Sequence, residues 1–193
     1  MAKWLDFCVD KHMRFKSFVL IILVLLSSTV VAQEVQWMSL SEALTAQKSN
    51  PKKIFMDVYT VWCGPCKLYD RNTFSNPQLA AFINENFYPV KFNGEGDETI
   101  VYKGKTYDNP RYDPAKAKRR NSVHEFSSYL GIRAYPTVVF MDESGGLIKS
   151  VRGYRTPPQL ELFLRFFGTD LWKSVRTQEA YDNYVANFKP SFQ

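Results

Sequence analysis

The sequence predicts an α/β protein with a mixed central sheet flanked by helices, and three features of the chain predict it. Residues 52–92 run through strand, helix and strand patterns, which is a parallel crossover unit. Residues 136–154 hold two strand-like runs joined by Glu143-Ser144-Gly145-Gly146, a hairpin that adds antiparallel pairs to the sheet. At 193 residues, 45% hydrophobic and 16% aromatic, the chain can bury one core but is short for two full domains. Its three cysteines are too few for a disulfide-stapled scaffold. No repeat, heptad run or apolar stretch of about 20 residues is present, which excludes collagen, coiled coil and multispanning membrane protein.

Residues 18–32 (FVLIILVLLSSTVVA) are mostly apolar, preceded by Arg14 and Lys16 and closed by Val30-Val31-Ala32. That is the order of a secretory signal: basic segment, apolar segment, small-residue cleavage site. Residues 1–32 are expected to be a signal peptide, with Met13 an alternative start. An apolar run of about 15 residues is short for a span, so export with cleavage is expected and an uncleaved membrane anchor is the alternative. Cleavage would leave 21 basic and 17 acidic side chains, a balance of +4, with Cys63 and Cys66 as the remaining cysteines. Disulfides can form in an exported protein.

The folded domain is expected over residues 33–168. Ser39 and Glu42 make a capping box for a short helix through SLSEALTAQKS, which Asn50-Pro51 stops. KKIFMDVY is apolar and rich in β-branched and aromatic residues, which fits a strand covered on both faces in the middle of the sheet. A helix follows Trp62-Cys63-Gly64-Pro65-Cys66, because proline is tolerated at an early helical position, and Cys63 then sits at its N-terminus. Asn76-Pro77 opens a second helix, PQLAAFINENF, and YPVKF reads as the next strand. Residues 93–121 turn to Gly, Asp, Asn, Pro, Lys and Arg and read as a long inserted loop. A helix from Ser122 to about Leu130, the strands PTVVFMD and LIKSVRGY, and the amphipathic helix PPQLELFLRFF complete the domain. Residues 169–193 read as a C-terminal helical tail anchored by Trp172, Tyr181, Tyr184 and Phe188, with a frayed end.

Two cysteines separated by two residues at the start of a helix can close a small disulfide ring, and the free amides and dipole of the helix favour a thiolate on the first. Cys63 is then the nucleophile toward a substrate disulfide, and Cys66 resolves the mixed disulfide. The same spacing fits half of a zinc site or an inert structural disulfide. Zinc needs about four ligands, and beyond the leader the chain offers this pair and one histidine, His124, so no metal is expected. A ring this short removes little chain entropy, which weakens the structural reading.

The run Trp62-Cys63-Gly64-Pro65-Cys66-Lys67 resembles the active-site motif of the thioredoxin family. From about Lys52 to Gly168 the element order is similar to a thioredoxin-like fold with an extra N-terminal helix, a long insertion and a C-terminal tail. The resemblance implies further site residues. Asp57 stands where the family keeps a buried carboxylate that takes a proton from Cys66, and Lys91 matches the lysine that approaches it from the next strand. Pro136 matches the family's cis-proline, after Tyr135, and its neighbouring backbone pairs with a substrate strand. Gly153 matches the glycine that leaves room for the substrate chain. Trp62 is expected as an exposed aromatic beside the dithiol, with Gly64 and Pro65 completing the substrate surface. Tyr59 replaces a tryptophan usual in cytosolic thioredoxins, and Tyr135 replaces an aliphatic residue. The segment KLYDRNTFSNPQLAAFINENFYPVKFN is more similar to the C-terminal domain of periplasmic thiol:disulfide interchange reductases.

These resemblances imply an exported thiol-disulfide oxidoreductase acting as a reductant of disulfide-containing exported proteins. They imply no cofactor beyond the Cys63–Cys66 pair and a membrane-bound electron donor. An oxidase or isomerase, or a substrate-binding or chaperone module without turnover, is the alternative. Between Lys103 and Arg120, seven basic residues face Asp108 and Asp113. A solvated excursion is expected there, with docking of an acidic partner or an anionic membrane surface by residues 103–120 as the alternative. The run carries no nucleic-acid reading motif, so nucleic acid is not an expected partner despite interleaved Tyr102, Tyr107 and Tyr112. His124 reads as a surface helix residue.

Overall fold

The computed structural model describes residues 33–193, and the leader expected over residues 1–32 lies outside them. Leu40–Gln47 (α1) starts at Ser39, whose hydroxyl accepts the Glu42 N–H at 3.2 Å while the Glu42 carboxylate accepts the Ser39 N–H at 2.7 Å. This is the predicted capping box, and it fixes where the helix begins. Lys53–Tyr59 (β1) leads through the cysteine turn into Gly64–Tyr69 (α2), prolonged by a π-helical turn at Asp70–Phe74. Asn76 caps Pro77–Asn86 (α3), and the chain returns as Phe87–Asn93 (β2). After the insertion come Glu125–Tyr129 (α4), Thr137–Met141 (β5), Leu147–Arg152 (β6) and Pro157–Gly168 (α5).

The main sheet runs β2-β1-β5-β6, with β1 and β2 parallel and the other pairs antiparallel. It is the mixed α/β sheet that the sequence predicts. Side-chain alternation divides β1 between two cores. Ile54, Met56 and Val58 join Leu40, Val90, Phe92 and Phe126 on one face. On the other, Phe55 packs with Tyr69, Phe74, Leu79, Phe87 and Leu160. Burying one such phenylalanine contributes roughly 1.5–3 kcal/mol. Asp57 falls on the Phe55 face, the side of the cysteine helix.

The insertion over residues 93–121 departs from a plain loop. Within it, Ile100–Tyr102 (β3) and Lys105–Tyr107 (β4) form an antiparallel hairpin. Its turn residues Lys103 and Gly104 both have positive φ, 50° and 75°, as a two-residue type I′ turn requires. Ile100, Tyr102 and Tyr107 are buried in the Leu40 core, so two of the interleaved tyrosines serve packing. The charged residues 116–120 stay exposed. His124 is also a correction: it is fully buried as the N-cap of α4. Its Nδ1 accepts the Phe126 N–H at 3.0 Å, and Nε2 lies 2.6 Å from the Glu98 carbonyl, the pattern of a neutral imidazole donating through Nε2.

The tail forms Leu171–Ser174 (α6) and Gln178–Asn187 (α7), with Trp172, Tyr181 and Tyr184 packed on the Phe55 core. Its end is held rather than frayed. The buried Glu161 carboxylate accepts the Ser191 N–H at 2.7 Å and the Phe192 N–H at 2.8 Å, and Phe192 is buried against the same core. Among the described residues no helix is long and apolar enough to cross a membrane.

Candidate active site

Cys63 is the N-cap of α2, in extended conformation, so the strand-to-helix turn itself presents its sulfur at the helix start. Its Sγ accepts the Cys66 N–H at 3.1 Å, a contact that strengthens when the sulfur is a thiolate. Cys63 and Cys66 are joined as a disulfide with Cα atoms 5.3 Å apart. Both are buried, at 3% and 2% exposure, while Gly64 and Pro65 between them are exposed. Among the described residues no three histidine, cysteine or carboxylate side chains gather as a metal-binding group.

Sheet register brings Asp57 and Lys91 side by side, since they are direct partners across the parallel β1–β2 pair. The Lys91 Nζ lies 2.8 Å from Asp57 Oδ2, and it also contacts Asp70 on the helical run four residues after Cys66. The ammonium thus ties the strand carboxylate to the cysteine helix. Asp57 is fully buried, and neither of its oxygens receives a directed hydrogen bond, so the Lys91 contact is ionic. Desolvation raises the Asp57 carboxyl to about 6, opposed by the nearby Lys91 charge. Burial alone would lower the Lys91 ammonium, but the two carboxylates outweigh it and raise its pKa. Trp37, Tyr59 and Phe74 rings surround that ammonium at 4.8, 5.0 and 5.1 Å.

The Tyr135-Pro136 peptide bond is cis. Gly153, with φ of 94°, donates its N–H to the Pro136 carbonyl at 2.8 Å, so these two predicted positions adjoin. Trp62 is half-buried rather than fully exposed. Its Nε1 donates to Glu95 Oε2 at 2.7 Å, the Tyr135 ring meets it edge-on at 6.2 Å, and the Arg120 guanidinium lies 4.6 Å from its ring centre. The Tyr135 hydroxyl in turn donates to the Gly94 carbonyl at 3.2 Å. Burial, with Glu95 adding to it, pushes that phenol up to about 12, so it stays a donor.

Gly94 is required by this close approach. A methyl group there would lie 2.6 Å from Tyr135 Cε1 and 2.9 Å from Ser127 Oγ. Gly94→Ala is therefore expected to displace Tyr135 from Trp62 and to lower stability by about 1–3 kcal/mol. A urea midpoint shift measures it, and an unchanged midpoint would contradict the packing.

Sequence reasoning did not single out Asp70 or Glu95, and it names Arg120 only among the basic residues of the insertion, not as a neighbour of Trp62. Asp70 had a usable signal, since a residue four positions after Cys66 shares its helix face. Glu95 and Arg120 had none, because they reach Trp62 from opposite ends of an insertion whose path the sequence does not specify.

Comparison with known proteins agrees with this geometry. The family model for the thioredoxin-like domain matches residues 40–168 of the 193. The chain is 25% identical over 116 residues to the thiol:disulfide interchange protein DsbD of Photorhabdus laumondii, covering 60% of this chain and 16% of that protein. It is 26% identical over 106 residues to the protein of the same name from Escherichia coli K12, covering 55% and 14%. The chain therefore spans less than a fifth of the length of these relatives. A solved thioredoxin-fold protein from Helicobacter pylori superimposes with a TM-score of 0.51 at 18% identity, covering 71% of this chain and 82% of that one, a likeness of fold. The matched residues include the strand, the cysteine turn and the helix described above, and the chain belongs to the thioredoxin-like family.

Proposed function

We propose that this chain is an exported reductant that opens disulfides in other exported proteins through Cys63. The observation that carries the reading is the Cys63–Cys66 disulfide at a helix start, with the buried Asp57–Lys91 pair tied to the same helix. In the reduced protein the Cys63 thiolate, favoured by the Cys66 N–H, bonds to one sulfur of the target disulfide. The other target sulfur leaves as a thiolate and takes up a proton. Asp57 then accepts the Cys66 proton, directly or through water, and Cys66 attacks the Cys63 sulfur. That step closes the Cys63–Cys66 disulfide and expels the second target sulfur. Two electrons and two protons pass to the target, so a separate dithiol, proposed as a membrane-bound donor, must restore the chain.

Tyr135, Pro136 and Gly153 bind the target backbone in this reading, with Trp62, Gly64 and Pro65 forming the surface beside the sulfur. Support for the reducing direction comes from Gly64-Pro65 between the cysteines and from similarity to thiol:disulfide interchange proteins. Export is supported by the composition of residues 1–32. Cys66→Ala tests the cycle, because without the resolving thiol the mixed disulfide persists. Covalent adducts through Cys63 that dithiothreitol releases are expected on a non-reducing gel. Partners retained without a covalent bond would instead indicate binding without turnover.

A further inference from the structure

The insertion ends against the active-site tryptophan. Arg120 is exposed, its guanidinium lies over the Trp62 ring at 4.6 Å, and its backbone position is fixed by the next residue. Asn121 donates its N–H to Glu95 Oε2 at 2.8 Å, and its side chain bonds Asp113 N–H and carbonyl at 3.0 and 2.9 Å. Glu95 itself faces inward at 6% exposure, and its Oε2 is taken up by Trp62 and Asn121. Arg120 therefore presents its charge outward from a defined place beside Cys63.

The surrounding segments have the same sign. Residues 60–67, 116–121, 131–136 and 151–156 carry the cysteines, the end of the insertion, the cis-proline and Gly153. Together they hold eight lysines and arginines and no aspartate or glutamate. Lys116 pairs with Asp113 at 3.0 Å. Exposed Arg120, Arg133 and Arg152 pair with no carboxylate among the described residues.

We propose that this basic rim, centred on Arg120, selects target polypeptides that carry carboxylates next to their reactive disulfide. The inference rests on the exchange reading given above and adds the substrate class. A guanidinium lying over an indole keeps N–H donors directed to solvent, where a carboxylate can take them. The wider rim steers an acidic segment toward the dithiol. A polypeptide fits better than an anionic membrane, because the charge flanks the very sulfurs that must meet a target, and a lipid surface seated there would block exchange.

The test uses the reduced full chain and three disulfide-linked peptides of one length, with aspartate, serine or lysine flanking the cysteine. Reduction rates are read at low and high salt for wild type and for Arg120→Glu. At low salt the aspartate peptide is expected to react about tenfold faster than the serine peptide, with the lysine peptide slowest. The preference should shrink at high salt and fall to near unity in Arg120→Glu. Equal rates for all three peptides would overturn the recognition while leaving exchange intact. A preference that survives Arg120→Glu would overturn the role of Arg120. Reduction of none of the peptides would contradict exchange and recognition together. Equal peptide rates combined with capture of the chain on phosphatidylglycerol vesicles would assign the rim to lipid and also overturn the proposal.

Discussion

Replacing Cys63 with serine is expected to abolish disulfide exchange, by at least about 10³-fold, because a hydroxyl does not ionise at neutral pH and a thiolate is the attacking species. The fold should survive. Both cysteines sit at one end of a short helical run, and closing so small a ring stabilises the folded chain by about 2 kcal/mol at most. The core on the two faces of β1 does not depend on the sulfurs. Reduction of a small aromatic disulfide measures the activity, and a urea midpoint with an unchanged slope checks the fold. Substantial activity in Cys63→Ser would mean that the first sulfur is not the nucleophile.

Asp57→Asn is expected to raise stability and lower activity together. In the folded chain burial lifts this carboxyl from 3.8 to about 6, net of the Lys91 attraction. The sign follows from proton linkage. Below about pH 3.8 the carboxyl is protonated in both states and costs nothing. As pH rises from there through about 6, the unfolded chain ionises first and the folded state loses relative stability, by about 3 kcal/mol for a two-unit shift. Asparagine has nearly the same shape and does not ionise, and Lys91 keeps Asp70 as a partner. The variant should therefore be about 2–3 kcal/mol more stable than wild type at pH 8 and little different at pH 4, as read from urea midpoints at both values. Resolution of the mixed disulfide should slow by about 10²-fold, the usual contribution of a positioned general base. Its pH profile should lose the inflection near 6. Equal stability at pH 8 would contradict the desolvated carboxylate, and an unchanged resolution rate would contradict its role as base.

The family resemblance implies a buried carboxylate at Asp57, and the strand pattern agrees with it. Asp57 interrupts the apolar run KKIFMDVY two residues after Phe55, and period-two alternation puts it on the face of the cysteine helix. Lys91 is reached from the sequence only through the family resemblance, and the structure shows it as the direct partner of Asp57 across the parallel β1–β2 pair. Longer elements were readable because several residues vote for each period. The hairpin at Ile100–Tyr102 and Lys105–Tyr107 was not, because three-residue strands are too short for alternation to stand out in a charged segment. Glu161 reads as an ordinary polar position in PPQLELFLRFF, yet it holds the chain end by accepting the backbone N–H groups of Ser191 and Phe192. His124 likewise caps a helix through Nδ1, which accepts the Phe126 N–H, while its Nε2 is held by the Glu98 carbonyl, a contact that no local pattern signals. Residues joined by regular structure could be placed in advance, and residues joined by a loop's path could not.

The reduction potential of the Cys63–Cys66 pair, measured on the full chain by equilibration with thiol-disulfide buffers, tests the central claim most directly. A dithiol that serves as a reductant should equilibrate near or below about −250 mV, close to reducing thioredoxins. A value above about −180 mV would place the pair among oxidases and isomerases and would contradict the proposed direction of electron flow.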